Sequence, residues 1–152
     1  MKRKLSVLFL CSHNSARSQM AEALLRYYGG ERFEAYSAGL EPSQLNPYTV
    51  RVLHELGLNS EGQYAKDLMT FWGGKYHFTY LITVCDKAEA KCPIFPFATR
   101  RLYWPFEDPS SFEGSDEEKL AKFRQVRDQI AAKIREWVRE ESTQEGQFNF
   151  KD

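Results

Sequence analysis

Apolar residues along the chain fall into two alternating kinds of run: short continuous stretches, and longer segments in which apolar positions recur every three or four residues. The first stretch, Leu5-Ser6-Val7-Leu8-Phe9-Leu10, predicts a strand buried on both faces. Residues 19–28 predict a helix, because Met20, Ala23, Leu24 and Tyr28 share a side and Gly29-Gly30 stops the pattern. A second strand is expected near residues 33–38. Asn46-Pro47 reads as an N-cap followed by proline at the first helical position; Val50, Leu53 and Leu56 form the stripe and Gly57 ends it. Residues 79–84 predict the third strand, and Leu102-Tyr103-Trp104 a short fourth one closed by Pro105. Ser115-Asp116-Glu117-Glu118 is a capping box opening a long helix striped by Phe123, Val126, Ile130, Ile134 and Trp137. Residues 1–141 thus read as a single α/β domain and residues 142–152 as a loose tail. Strands alternating with helices imply a four-stranded parallel sheet covered by helices on both faces.

Composition narrows the ligand. A chain of 152 residues accommodates one ordinary domain and excludes a second full one. With 42% hydrophobic and 28% charged residues it is too apolar for disorder and too polar for a membrane protein. Lys and Arg total 21, as do Asp and Glu, so no global field attracts nucleic acid or an anionic membrane surface. Any anion is then recognised locally and is small. Lys2-Arg3-Lys4 ahead of residues 5–10 imitates a targeting segment, but the apolar run is too short and polar Ser12-His13-Asn14-Ser15 follows at once. A cytoplasmic protein is expected. Three cysteines, an odd number in a chain of this size, argue against an extracellular disulfide framework and leave thiol chemistry or inert packing.

The reactive residues share one end of the predicted sheet. Cys11 follows the first strand, Cys85 the third, and Asp108 lies four residues past the fourth. In an open parallel sheet the ligand crevice lies at those carboxyl ends, at the switch point. If the first and third strands are neighbours, about 4.8 Å apart, Cys11 and Cys85 approach disulfide range. The segment Cys11-Ser12-His13-Asn14-Ser15-Ala16-Arg17-Ser18 has the form cysteine, five residues, arginine, serine. Between a strand and a helix N-terminus such a loop can turn its N–H groups inward as a nest for a tetrahedral oxyanion, with the Arg17 fork added. The same field favours a thiolate at Cys11, with Ser15 and Ser18 as candidate donors. A buried structural cysteine beside an ordinary loop is the alternative. Asp108-Pro109 by itself is a common turn opener; at the sheet's carboxyl end, Asp108 is also placed to hand a proton to a departing oxygen.

The loop, the Asp108-Pro109 pair and the order of elements resemble the low-molecular-weight protein tyrosine phosphatase superfamily over all but the tail. Within it, Gln19-Met20-Ala21-Glu22, Val84-Cys85-Asp86 with Lys91-Cys92-Pro93, and Phe123-Arg124-Gln125-Val126-Arg127-Asp128 are similar to the thioredoxin-coupled arsenate reductase branch. That resemblance implies a Cys11, Cys85 and Cys92 relay that reduces arsenate to arsenite, with phosphate or sulfate as substrate mimics and thioredoxin as the partner that resets it. It implies no organic cofactor. Asn14, Glu22, Ser37 and Asp67 match positions that bind potassium in some arsenate reductases; loop hydrogen bonding and N-capping are the other reading of those four.

His13 and Ala16 depart from the family loop, where glycine and a second cysteine are common. Histidine tolerates positive φ better than most residues, so the loop can still close. A Cys85 to Cys92 disulfide, as the resemblance implies, would need unwinding if the segment were helical, since seven residues span roughly 10 Å against a limit near 7 Å. Lys87 and Lys91 are expected to help ionise those thiols. Packing cysteines or a zinc site are the alternatives, although His54 and His77 lie far off in sequence. Ser110 and Ser111 stand where the phosphatase branch carries ring-gripping aromatics, which favours a small inorganic substrate. A phosphatase acting on phosphotyrosine or a small ester, and a noncatalytic thiol redox sensor, are the competing functions.

Overall fold

The structure, a computed structural model, describes residues 4–149, with side chains described through residue 143. Four strands, β1 (Leu5–Cys11), β2 (Phe33–Gly39), β3 (Phe78–Thr83) and β4 (Ala98–Tyr103), form one sheet in the order β2-β1-β3-β4. All three pairings are parallel. The continuous apolar run explains why β1 is central: Val7 to Leu10 are completely buried between neighbours on both sides. The chain moves outward from β1 to β2 and, in the other direction, from β3 to β4. Right-handed crossovers therefore leave opposite faces, and the switch point falls between β1 and β3.

Helix α1 (Arg17–Gly29) packs against β1, β2 and the long α4 (Asp116–Asn149), while α2 (Pro47–His54) packs on α1 and α4. Trp137 of α4 is the centre of this side, with its ring against Phe33, Tyr80 and Trp104. All five residues of the expected α4 stripe are buried. Tyr36, which points from β2 to the side opposite Phe33, meets Phe71, Tyr76 and Phe78 in a second aromatic group. Short α3 (Asp86–Lys91) joins β3 to β4.

The caps read from the sequence are present. Asn46 accepts from Tyr48 N at 2.8 Å, and Ser115 and Glu118 exchange side-chain to backbone bonds. Several boundaries differ. The α2 face is Thr49, Val52 and Leu53, while Leu56 lies beyond the helix and is exposed, because α2 stops at His54 before a third turn forms. Strand β4 begins at Ala98, earlier than expected, since Arg100 and Arg101 pair with β3 despite their polarity at the sheet edge. Helix α4 runs on through Asn149, so no helix end falls at residue 142, and residues 150–152 of the expected tail lie outside the described residues. No proline interrupts residues 116–149, which is consistent with a continuous helix. No helix among the described residues is long and apolar enough to cross a membrane.

Candidate active site

The carbonyl oxygens of the Cys11 to Ala16 segment are all turned away from the loop's centre and bonded there. Leu40 N binds Cys11 O at 3.2 Å, Glu41 N binds Ser12 O at 2.8 Å, Ser43 N binds His13 O at 3.0 Å and Asn46 N binds Ser15 O at 3.0 Å. Gln19 Nε2 donates to Asn14 O at 3.0 Å, and Met20 N closes α1 onto Ala16 O at 2.8 Å. With the carbonyls occupied in this way, the loop amides are left without those acceptors, and Asn14 N turns to the Cys11 sulfur. Such an arrangement can hold an anion. Ala16 caps α1 with no side-chain bond and the first turn carries no acidic residue, so no side chain caps the leading amides of the helix.

The loop approaches β2 closely enough that Gly39 is required. A Cβ at that position would lie 2.8 Å from Asn14 N and 2.9 Å from both His13 C and Ser12 O. Among the described residues Asn14 is the one non-glycine with positive φ, at 52°. The left-handed position expected at His13 is therefore at Asn14, whose short amide tolerates it and whose side chain repays it with local bonds. Asn14 Nδ2 donates to Ser18 Oγ at 2.8 Å, and Asn14 Oδ1 accepts from Lys66 N at 2.7 Å and Gln19 Nε2 at 3.1 Å. His13 is exposed, its Nδ1 donating to Glu41 O at 2.9 Å.

Cys11 is buried at the floor of the nest. Its sulfur lies 2.8 Å from Ser18 Oγ and accepts from Asn14 N at 3.3 Å. Because Ser18 Oγ already accepts from Asn14 Nδ2, its single proton is free to serve the sulfur. Ser15, the other proposed donor, uses its carbonyl to hold Asn46 N and Thr49 Oγ1. Arg17 is oriented by Nη1 donating to Phe106 O at 3.0 Å, and its Nη2 lies 3.6 Å from Asp108 Oδ2. Asp108 is fixed by Ser110, which donates from its N at 3.0 Å and its Oγ at 2.6 Å to Oδ1. Ser110 and Ser111 thus serve the Asp108 turn. The aromatic residue beside the cleft is Phe106, ahead of the aspartate instead of behind it.

A cleft of about 340 Å³ has walls that include Ser12, Arg17, Cys85, Lys87 and Asp108, and Cys11 lines a much smaller cavity that shares Arg17 and Asp108 with it. The pairing of Leu10 with Thr83 sets Cys11 and Cys85 one residue out of level on adjacent strands. Ser12 Oγ lies 3.6 Å from Cys85 Sγ and bridges the loop to the second cysteine. Cys85 is buried, and its sulfur caps α3 by accepting from Ala88 N at 3.4 Å. Cys92, at the far end of α3, is half-buried, and burial pushes its thiol up; Arg101 opposes that shift and Glu89 adds to it. Arg101 on β4 is thus the cation acting on this sulfur. Lys91 does not figure among the charges that do so. All three cysteines are free.

Of the four residues of the potassium reading, Glu22 faces cations that the chain supplies itself. Buried Glu22 accepts from Ser37 Oγ at 2.8 Å and from Arg26 at 2.6 Å, and Lys66 Nζ stands 3.9 Å from its Oε1. Asp67 is spent on capping Met69 N at 2.9 Å. Burial lowers the Lys66 ammonium from its ordinary value while Glu22 pulls it back up. Among the described residues no three His, Cys, Asp or Glu side chains gather as a metal site.

Gly39, residues 40–45 and Lys66 shape the site without any motif of their own to announce them. Of the family-like segments, Gln19-Met20-Ala21-Glu22 buttresses the loop, whereas Arg124 and Arg127 clamp Glu55 at the end of α2.

A family model for the low molecular weight phosphotyrosine protein phosphatases matches residues 6–147. Among curated proteins, the chain is 37% identical over 142 residues to an arsenate reductase of Shouchella clausii, covering 91% of this chain and 97% of that protein. It is 36% identical over 136 residues to an arsenate reductase of Bacillus subtilis, covering 87% and 94%. Among solved structures it is similar to an arsenate reductase in the phosphate binding state, with 27% identity, a TM-score of 0.72 and coverage of 90% and 98%. The thioredoxin-dependent arsenate reductase of Corynebacterium glutamicum is 30% identical with a TM-score of 0.66, over 91% of this chain and 62% of that one.

Proposed function

Since the chain belongs to the low molecular weight phosphotyrosine protein phosphatase family, we propose that it turns that family's oxyanion nest to the reduction of arsenate. The observation that carries the reading is the set of three free cysteines, two of them at the carboxyl ends of adjacent strands and the third across the short helix that follows. Cys11 lies in the nest, Cys85 is bridged to it through Ser12, and Cys92 lies at the outer end of the helix that Cys85 caps. Phosphate ester hydrolysis would use Cys11, Arg17 and Asp108 and leave the other two thiols without a role.

In the proposed cycle Arg17 and the amides of residues 12–18 hold arsenate. Cys11 forms a sulfur–arsenic bond while Asp108 protonates the hydroxyl that leaves as water. Cys85 then attacks Cys11 Sγ. The electron pair of the sulfur–arsenic bond passes to arsenic, and arsenite and a Cys11–Cys85 disulfide result. Cys92 attacks Cys85, freeing Cys11 and carrying the disulfide outward, where a dithiol reductant of the thioredoxin type resets it. A reducing, cytoplasmic setting suits three free thiols. The oxygens around Glu22 do not fit a potassium ion, because Lys66 and Arg26 already meet that carboxylate and a further cation would be repelled. No step is routed through one.

The deciding experiment supplies purified protein with arsenate, thioredoxin, thioredoxin reductase and NADPH, and follows NADPH oxidation. Arsenate-dependent oxidation supports the reading. No turnover there, with rapid hydrolysis of an aryl phosphate, would make the protein a phosphatase; neither activity, with a disulfide formed by peroxide, would make it a redox sensor.

A further inference from the structure

Three cavities around the loop share one bordering residue, His13. One is the cleft of about 340 Å³, one is the small cavity that Cys11 lines, and the third runs along residues 43–47 to Ser110. His13 is fastened at two points to the segment after β2: Nδ1 donates to Glu41 O at 2.9 Å, and its own carbonyl accepts from Ser43 N at 3.0 Å. A carbonyl only accepts, so Nδ1 carries the proton of the neutral ring and Nε2 is the atom that takes a second one. Nε2 has no hydrogen-bond partner among the described residues.

The charged groups bordering the same cavities are Arg17 from α1, Asp86 and Lys87 from α3, and Glu107 and Asp108 from the turn after β4, beside the thiols of Cys11 and Cys85. Their carboxylates are committed elsewhere. Asp86 accepts from Tyr103, Glu107 meets Lys122 Nζ at 2.5 Å, and Asp108 is held by Ser110 and Arg17. Among the described residues no carboxylate pairs with the His13 ring, so a charge on it is met by solvent or by an anion in the site.

We propose that the His13 imidazolium is a second cation of the oxyanion site, set beside Arg17, which strengthens the hold on a dianion and is withdrawn when the ring loses its proton. This rests on the oxyanion-binding reading given above. Histidine changes charge near neutral pH, so affinity for a dianion is highest on the acid side of the ring's titration and falls as pH rises through it. Because His13 is exposed, the interaction lies near the water limit. A unit charge roughly 9 Å from a dianion then changes affinity about threefold at low ionic strength. The reaction gains from an asymmetry of charge. Arsenate is an anion, whereas arsenite near neutral pH is the uncharged arsenous acid, so the second cation favours substrate over product.

The test follows the ring protons of the three histidines by NMR from about pH 5.5 to 8.5, in saturating sulfate and in sodium chloride of equal, low ionic strength. Sulfate keeps two negative charges throughout. It should raise the His13 midpoint by about half a pH unit and leave those of His54, at the end of α2, and His77, which bonds Thr99, in place. By linkage, charging the ring tightens sulfate by the same factor, about threefold. Calorimetric titration should therefore find His13→Gln about threefold weaker than the parent for sulfate at the acid limit, the ratio closing toward one at the alkaline limit. His13→Lys should keep its advantage over His13→Gln at both limits. Sulfate binding with the His13 midpoint unmoved, or with all three midpoints moved alike, would overturn the inference alone. A His13→Gln deficit equally large at both limits would do the same. Failure of both sulfate and phosphate to bind at any pH would overturn the oxyanion site itself, and the inference with it.

Discussion

Replacing Gly39 with alanine tests whether the nest is held by close approach of backbone to backbone. The new methyl group would sit 2.8–2.9 Å from three main-chain atoms of residues 12–14, none of which can rotate aside. Ordinary contact requires the loop to retreat by about 0.6 Å or more. Its exits are blocked, because Leu40 and Glu41 bond the carbonyls of Cys11 and Ser12 from the same strand end. Overpacking of this kind costs about 1–3 kcal/mol, which in a chain of this size lowers Tm by about 3–10 °C. Displacing the amides that face the oxyanion should also cut turnover about tenfold and weaken phosphate binding. Gly29→Ala is the matched control. Its Cβ would lie 2.7 Å from Cδ2 of the Phe33 ring, near the opposite end of the sheet, and should move Tm without moving phosphate affinity. Calorimetry for stability and isothermal titration of phosphate separate the two effects. A Gly39→Ala protein that binds phosphate as tightly as the parent would refute the close-approach argument, whatever its Tm.

Cys85→Ser should lose arsenate turnover while keeping whatever aryl phosphate hydrolysis the parent shows, since ester hydrolysis requires no second thiol; equal loss of both would make Cys85 structural. Parent turnover and Tm should be the same in potassium and sodium chloride at equal ionic strength, because Arg26 and Lys66 already meet the Glu22 carboxylate; a potassium-specific gain would contradict the built-in cations. The Arg124 hydrogen bond, with Arg127, holds the Glu55 carboxyl below its ordinary value. Unfolded chains bind that proton first as pH falls, so the clamp's contribution is complete above the ordinary glutamate range and is lost as pH drops through and below it. Denaturant midpoints measured from pH 6 to 3 should fall less steeply in Glu55→Gln, and identical slopes would remove the clamp from the acid response.

Periodicity along the chain was enough to reveal the sheet, because a strand buried on both faces and a helix buried on one leave different patterns that neighbours do not alter. The same holds for the caps at Asn46 and Ser115, whose partners lie two and three residues away. It holds too for the placing of Cys11 at a strand end and Arg17 at a helix start, since both lie within one short segment. Edge strand β4 was only half legible: Arg100 and Arg101 look like loop until β3 pairs with them. Ala88 alone gives α3 too little apolar surface for a pattern.

Everything that aims the nest comes from elsewhere in the chain. Gly39 is an ordinary strand end until Asn14 lies against it, and the amides of residues 40–46 matter only because they take the loop's carbonyls. The left-handed residue is Asn14 and not His13 because it is Asn14 whose side chain finds Ser18, Gln19 and the Lys66 amide waiting. The ion pairs of Lys66 with Glu22 and of Arg101 with Glu89 escape the local pattern for one reason. Coulombic partners are chosen by distance in space, and residues 66 and 22, or 101 and 89, are brought together by crossovers whose register no local pattern records.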